Sequence, residues 1–364
     1  MYQVVNDTSA QGFPVQLVRE DLQNFSPYSA AKPRSFSTKI KLNANEAPFN
    51  LNIGSFTEIN RYPEAKLITS IRSELASFLQ VNEEQIFLSR GSGEGIDLLC
   101  RVFCDARKDA VAVSSPSFSL YENYARIQGA DVYTYEAQES DGFYVNPGQL
   151  LAHMPPSTKI IFLCSPNNPT GQSIKESDLL YLLDRTQGSC MVLIDEAYVE
   201  FSDQESVTRL LGAYPNLIVL RTFSKAWSLA GLRMGCILAH PQLIAFLDKI
   251  KAPYAFSSPS LETFLDYLKG KPDDKLRGFI SHVKSERLRL TQQLRTLPLI
   301  QKVFPSDANF IMCKVDDASK IEEYLGKKGI LVRLVGSKYL RLTIGTREEN
   351  LLLYENLESL CRGL

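Results

Sequence analysis

Between about residue 60 and residue 245 the chain alternates two textures. Compact apolar runs, rich in Val, Ile and Leu, recur as QIFLS (85–89), AVAVSS (110–115), IIFLCS (160–165), VLIDEA (192–197), LIVLRT (217–222) and GCILA (235–239). Runs of this length and composition predict strands buried on both faces. Between them apolar residues fall at helical spacing, as in Ile96, Leu99, Cys100 and Phe103, or Leu179, Leu180 and Leu183. Strand and helix in alternation predict an α/β fold with a mostly parallel sheet flanked by helices. Ligands of such sheets bind at the carboxyl ends of the strands. After about Pro253 the pattern changes. A long charged helical stretch is expected from Lys275 to Leu294. It is followed by NFIMCKV, a helix near 318–327, ILVRLV, YLRLTIG and a last helix from Arg347, which together read as a smaller α/β domain. The expected division is an N-terminal arm over 1–50, contributing to the small domain, a large domain over 51–250 and a small domain over 251–364. The arm is rich in Pro, Ser and Asn, and there is no internal repeat.

Composition narrows the classes. With 364 residues the chain is long enough for two cores. A formal net charge of −1 leaves no basic field to mark a nucleic-acid binder. No stretch approaches the length of a membrane span, and the opening MYQVVNDTSAQGFP lacks the pattern of a secretory signal, so a cytoplasmic protein is expected. Seven scattered cysteines, an odd count, read as reduced thiols in a reducing compartment, and no metal site is expected. Three histidines in all argue against a histidine-centred mechanism.

Candidate chemistry sits where the strands end. Ser89–Gly95 (SRGSGEG) joins a strand to a helix, and its glycines would let an anion approach the helix N-terminus; alone it reads equally as a plain loop. Ser165–Gly171 (SPNNPTG) is a turn stiffened by two prolines that fixes an amide side chain at a strand end. Asp195, closing VLI, places a carboxylate where burial is costly without a partner. A protonated ring nitrogen of a ligand or a structural arginine would each meet that need. In Thr222–Trp227 (TFSKAW), Lys225 stands among hydroxyl and large apolar residues. That environment lowers an amine's pKa and permits a Schiff base, the alternative being a solvated surface lysine. Arg233 follows eight residues later, with the planar fork that grips phosphate.

The succession NPTG, DEAY and TFSKAWSLAGLRMG resembles the fold-type-I, aspartate aminotransferase-like enzymes that use pyridoxal 5'-phosphate (PLP). NFSPYSAAK, LNANEAP, NRYPEAK, SRGSGEGIDLL, KAPYAFSSP and LRLTIGTREEN narrow the resemblance to the histidinol-phosphate aminotransferase family, along nearly the whole chain. The resemblance implies transamination between L-histidinol phosphate or imidazole acetol phosphate and 2-oxoglutarate or glutamate, in histidine biosynthesis. It implies that Lys225 forms the Schiff base with PLP and moves protons, while Asp195 pairs with the pyridine nitrogen. Tyr198 and Asn168 would hydrogen-bond the ring's O3'. Phe118 would stack on the ring, at a position where the family often has Tyr. Ser92, Gly93, Thr222, Ser224 and Arg233 would hold the cofactor phosphate, joined by Tyr62 from the other subunit of a homodimer. Arg341 would take the substrate's anionic group, with Arg333 and Tyr28 as further phosphate contacts and Asn45 near the substrate. The connection from Arg333 to Arg341, through LVGSKYL, is shorter than in some members. An aromatic-amino-acid aminotransferase or a phospho-amino-acid PLP enzyme is the alternative. A non-catalytic PLP-binding regulator would need a fused DNA-binding domain, for which the arm is too short.

Overall fold

A computed structural model describes residues 12–25, 59–270 and 273–362. Helices α1 (Glu20–Gln23) and α2 (Ala65–Leu79) precede β1 (Ile86–Ser89) and α3 (Gly91–Phe103). The chain continues through β2 (Ala110–Ser115), α4 (Leu120–Gln128), β3 (Asp131–Glu136), α5 (Pro147–His153), β4 (Thr158–Cys164), α6 (Glu176–Thr186), β5 (Met191–Asp195), β6 (Leu217–Thr222) and β7 (Gly235–Ala239). These seven strands form one sheet in the order β1-β7-β6-β5-β4-β2-β3. All pairs from β6 to β3 are parallel, whereas β7 runs antiparallel to both β6 and β1. Because β7 reverses twice, β1 points the same way as β6, and its carboxyl end reaches the same edge of the sheet.

The six apolar runs are six of these strands, and β5, β6 and β7 are buried at every position. The seventh, β3, is the edge strand DVYTYE. It is only partly buried, so it carries no continuous apolar signature. Helix α3 lies close over the centre of the sheet. A Cβ on Gly95 would stand 2.7 Å from Leu220 Cδ1, so only glycine lets the helix pack at this depth.

After α7 (Pro241–Ile250) and α8 (Ser258–Lys269), the long charged stretch folds as α9 (Asp273–Leu294). A four-stranded antiparallel sheet follows, made of β8 (Ile300–Val303), β9 (Phe310–Val315), β10 (Arg333–Val335) and β11 (Tyr339–Thr343) in the order β10-β11-β9-β8. Helices α10 (Ala318–Lys327) and α11 (Arg347–Arg362) complete this part. Of ILVRLV only the last three residues are strand. β10 and β11 form a tight hairpin that turns through Gly336, at φ 59°. Arg287 of α9 ties the two sheets together, donating to the carbonyls of Phe201 at 3.2 Å and Ala308 at 2.7 Å. Cys100, Cys104, Cys164, Cys190, Cys236 and Cys313 are buried free thiols. Among the described residues no helix is long and apolar enough to cross a membrane.

Candidate active site

The carboxyl ends of β1, β2, β4, β5 and β6 share one edge, and each delivers a candidate residue to it. Strand β1 leads into the α3 N-terminus, β2 into the loop with Phe118, β4 into the loop with Asn168, β5 ends in Asp195, and β6 ends in Thr222 just before Lys225.

One end of this edge is built for an anion. Gly91 takes a left-handed φ of 73°, and Gly235 stacks on its backbone: a Cβ on Gly235 would meet Gly91 C at 2.8 Å. That close approach brings Arg233 beside the helix start, with Nη2 standing 2.7 Å from where a Gly91 Cβ would be. Arg233 Nη1 donates to Ser224 Oγ at 3.4 Å and to the Ala230 carbonyl at 3.1 Å. Thr222 Oγ1 in turn accepts from the Ser224 N–H at 3.3 Å. The first N–H groups of α3, carried by Ser92 and Gly93 among others, thus lie in the same corner as a guanidinium and two hydroxyls. A helix N-terminus with an arginine beside it suits an anion such as phosphate.

At the centre of the edge, Asp195 is 1% exposed. Its Oδ1 accepts from the Ala197 N–H at 3.0 Å, and its Oδ2 accepts from the hydroxyl of Tyr121 at 2.8 Å. Burial pushes the carboxyl up to about 6 despite both hydrogen bonds. The neighbouring Glu196 is the acid that takes a structural arginine: its Oε2 lies 3.2 Å from Arg221 Nη1, and Ser206 and the Val207 N–H also donate to it. The two adjacent acids therefore divide the two readings of a buried carboxylate. Glu196 is satisfied by the protein, and Asp195 is left for a cation that the described residues do not supply as a salt bridge.

Lys225 is exposed, with Nζ 5.7 Å from the centre of the Tyr198 ring. Crowding by protein, then the positive charge of Arg341, hold its ammonium below the ordinary lysine value, and Asp195 opposes them. Tyr198 is buried, which raises its phenol, and its ring meets Phe310 edge-on at 5.1 Å. Arg341 rises from β11, lies over the face of Phe310 at 5.2 Å and donates to Asn168 Oδ1. Its Nε is buried without a partner. An orphaned guanidinium N–H beside a nucleophilic lysine, an unneutralised buried acid and an anion cradle match what PLP and an anionic substrate would fill. The adjacent Asn167 is structural. It accepts from Ser117 and donates to the Pro116 carbonyl and to Thr170, pinning the β4 loop to the β2 loop.

Arg333 is the cross-strand partner of Arg341, so both side chains leave the hairpin on the same face, Arg333 being exposed. The short connection thus places two guanidinium groups side by side. Phe118 meets Tyr121 edge-on at 5.6 Å. Tyr62 is 48% exposed and stacks on Tyr254 with ring centroids 4.0 Å apart, at the surface of the single chain. Tyr28 and Asn45 lie outside the described residues.

Sequence reasoning missed Tyr121 and the buried group around Arg221. Tyr121 lies three residues after Phe118, one helical turn on, which is the only local sign of its position. Glu200, four residues after Glu196, accepts from Arg221 Nη2 at 2.6 Å and from Trp227 Nε1 at 2.9 Å. This fixes the segment bearing Lys225 to the end of β5.

Comparison with known proteins agrees with this fold. The chain is 39% identical to a histidinol-phosphate aminotransferase of Francisella philomiragia over 349 residues, covering 94% of this chain and 95% of the relative. The fold matches the crystal structure of the histidinol-phosphate aminotransferase from Clostridium acetobutylicum with a TM-score of 0.76, at 20% identity, over 84% of this chain and 92% of the other. It matches the Sinorhizobium meliloti enzyme in complex with PLP with a TM-score of 0.73, at 21% identity, over 83% of each chain. Residues 24–357 match the model of the aminotransferase class I and II family, and the chain belongs to that family.

Proposed function

We propose that this chain is a histidinol-phosphate aminotransferase. It would transfer the amino group between L-histidinol phosphate or imidazole acetol phosphate and 2-oxoglutarate or glutamate, with PLP as cofactor, in histidine biosynthesis. The observation that carries the substrate choice is the cross-strand pair Arg333 and Arg341, with Arg341 bonded to Asn168 on the side that holds Lys225 and Asp195. A carboxylate is satisfied by one guanidinium fork, whereas a phosphate has oxygens for a second. The relatives' identity over nearly the whole chain points the same way and does not favour an aromatic-amino-acid aminotransferase or a phospho-amino-acid enzyme.

Bound PLP supplies an electron sink for the electrons left when a substrate Cα proton is removed. The chain's own residues do the rest. Arg233, Thr222, Ser224, Ser92 and Gly93 hold the phosphate, and Phe118 covers a ring face. Asp195 holds the proton on the ring nitrogen. Tyr198 and Asn168 bond the ring's O3'. Lys225 would hold the cofactor covalently and, once freed by substrate, would be the base that takes the substrate's Cα proton and gives it back. Its lowered pKa keeps a larger share of the amine in the basic form that this step needs. Arg341 holds the anion of either substrate. Tyr28 and Asn45, in the expected N-terminal arm over 1–50, would contact the substrate. Domains over 51–250 and 251–364 carry the two sheets. The enzyme works as a cytoplasmic homodimer.

The test is single-turnover loss of the cofactor's visible band with each amino donor separately, together with turnover on histidinol phosphate against phenylalanine. Arg333→Ala should slow the histidinol-phosphate half-reaction by roughly 30- to 150-fold in kcat/KM, the cost of one charge-assisted contact, and the glutamate half much less. Equal loss with both donors, or a preference for phenylalanine, overturns the reading.

A further inference from the structure

Arg341 must be held at a set distance from Lys225, yet the two stand on different sheets. Lys225 follows β6 of the large sheet, and Arg341 lies in the middle of β11 of the small one. The small sheet is fastened to the large-sheet body on both sides of Arg341. On the Phe310–Thr343 side the tie runs through Asp307, by its backbone and by its side chain. The Asp307 N–H donates to the Gly171 carbonyl at 2.7 Å, and Ser173 Oγ donates to Asp307 Oδ2 at 2.7 Å. On the other side stands one carboxylate, Glu139, in the turn after β3. Lys314 Nζ donates to its two oxygens at 3.0 and 2.9 Å, and the Tyr339 hydroxyl donates to Oε2 at 2.6 Å. Lys314 and Tyr339 are cross-strand partners on β9 and β11, so one carboxylate closes over both strands at once. Phe143, at φ 63°, packs beneath the clamp against Tyr339 at 5.9 Å and Phe304 at 5.4 Å.

Tyr339 is two residues from Arg341 on the same strand and therefore on the same face. The clamp thus fixes the face that bears the substrate arginine. Its hydrogen bonds hold the Glu139 carboxyl below the ordinary range, while Glu139 and Lys314 remain 28% and 27% exposed. Contacts of that kind set geometry more than stability. We propose that Glu139 is a positioning residue that acts through the Lys314–Tyr339 pair to set the location of Arg341, and hence the affinity for anionic substrates. The inference rests on the reading that Arg341 takes the substrate's anion.

The test uses the PLP-loaded enzyme and measures the single-turnover rate against donor concentration, which separates apparent affinity from the maximal rate. Glu139→Gln should weaken binding of histidinol phosphate and glutamate alike by roughly 3- to 20-fold, while the maximal rate and the pH titration of the cofactor's visible band stay those of the parent. Tyr339→Phe, which removes a single hydrogen bond from the same clamp, should shift affinity the same way by a smaller factor. In an Arg341→Ala background the Glu139→Gln effect should vanish, because its route is gone. If Glu139→Gln leaves affinity unchanged, lowers only the maximal rate, or keeps its full effect without Arg341, the positioning role is wrong. If Arg341→Ala itself leaves affinity for both donors intact, the anion reading of Arg341 falls first and takes this inference with it.

Discussion

Asp195 sets the electrostatics of the site. In the cofactor-free protein its carboxyl is raised from 3.8 to about 6 by burial, with Tyr121 and the Ala197 N–H pulling the other way. The folded value lies above the unfolded one, so as pH rises the unfolded chain releases this proton first. Stability owed to Asp195 is full below about pH 4, falls until about pH 6 and is level beyond it. Asp195→Asn should remove that falling slope, on the order of 2–3 kcal/mol across the window, and should also weaken PLP retention. Thermal melts of the cofactor-free parent and variant, compared from about pH 4 to about pH 7, measure the difference; parallel curves would show that Asp195 does not titrate there. Tyr121→Phe leaves one carboxylate oxygen without its donor. It should cost the PLP-loaded enzyme about 1.5–3 kcal/mol and shift the acid limb of the rate profile upward, which a pH–rate series reads directly. Lys225, Asp195 and Asn168 were legible in the sequence because each stands at or just after the end of an apolar strand run, and Arg233 because it follows Lys225 by eight residues; Arg341, in the middle of β11, was reached only through the family resemblance. Tyr121 was not. In LYENYARIQ it is one aromatic on an amphipathic helix, and its target lies 74 residues away.

The strands that matter for the site are legible for a related reason. Burial on both faces forces continuous apolar runs, and six of seven strands of the large sheet show them. The edge strand β3, with no fully buried position, and β8, buried only at its two end residues, lack that constraint and carry no continuous apolar run. The direction of β7 was equally hidden, since an apolar run is the same read from either end. Pairings between elements are hidden too, and the most consequential is the group Glu196, Arg221, Glu200 and Trp227. It joins the end of β5, which carries Asp195, to the turn after β6, which carries Lys225. Arg221 is 6% exposed, and each of its two acids takes a different guanidinium nitrogen, so losing either leaves a buried donor without its partner. Glu200→Ala removes one acid and orphans the Trp227 N–H together. Denaturant unfolding should show a loss of about 3–5 kcal/mol, with Glu200→Gln losing less because its amide oxygen still accepts. A loss under about 1 kcal/mol would mean that the group is not a strut between the two catalytic segments.

At the scale of the whole molecule, the single chain leaves one expected cofactor contact on its outside. Tyr62 and Tyr254 stack as a pair at the surface, and Tyr62 is nearly half exposed. A stacked pair of tyrosine rings that is partly exposed gives a rigid aromatic patch, the kind of surface that subunit interfaces use. In a symmetric dimer a residue lent to the partner's site is repaid by the same residue coming back, so each site draws on both chains. Tyr62→Phe should then lower kcat/KM by roughly 10- to 150-fold, the cost of one hydrogen bond to a charged phosphate, although Tyr62 would belong to the subunit opposite the affected Lys225. Mixing distinguishes this from a local effect. A Lys225→Ala chain is inactive but carries an intact Tyr62, and a Tyr62→Phe chain carries an intact Lys225. In their heterodimer one site receives both intact residues and the other neither. Refolding the two chains together in equal amounts makes about half of the dimers hybrid, each with one good site, so activity should rise to about a quarter of the parent's. If Tyr62 served its own subunit instead, every site in the hybrid would keep the defect of its own chain. Purified heterodimers that stay at about half the activity of the Tyr62→Phe homodimer would therefore place Tyr62 in its own subunit's site and remove the reason to expect shared active sites.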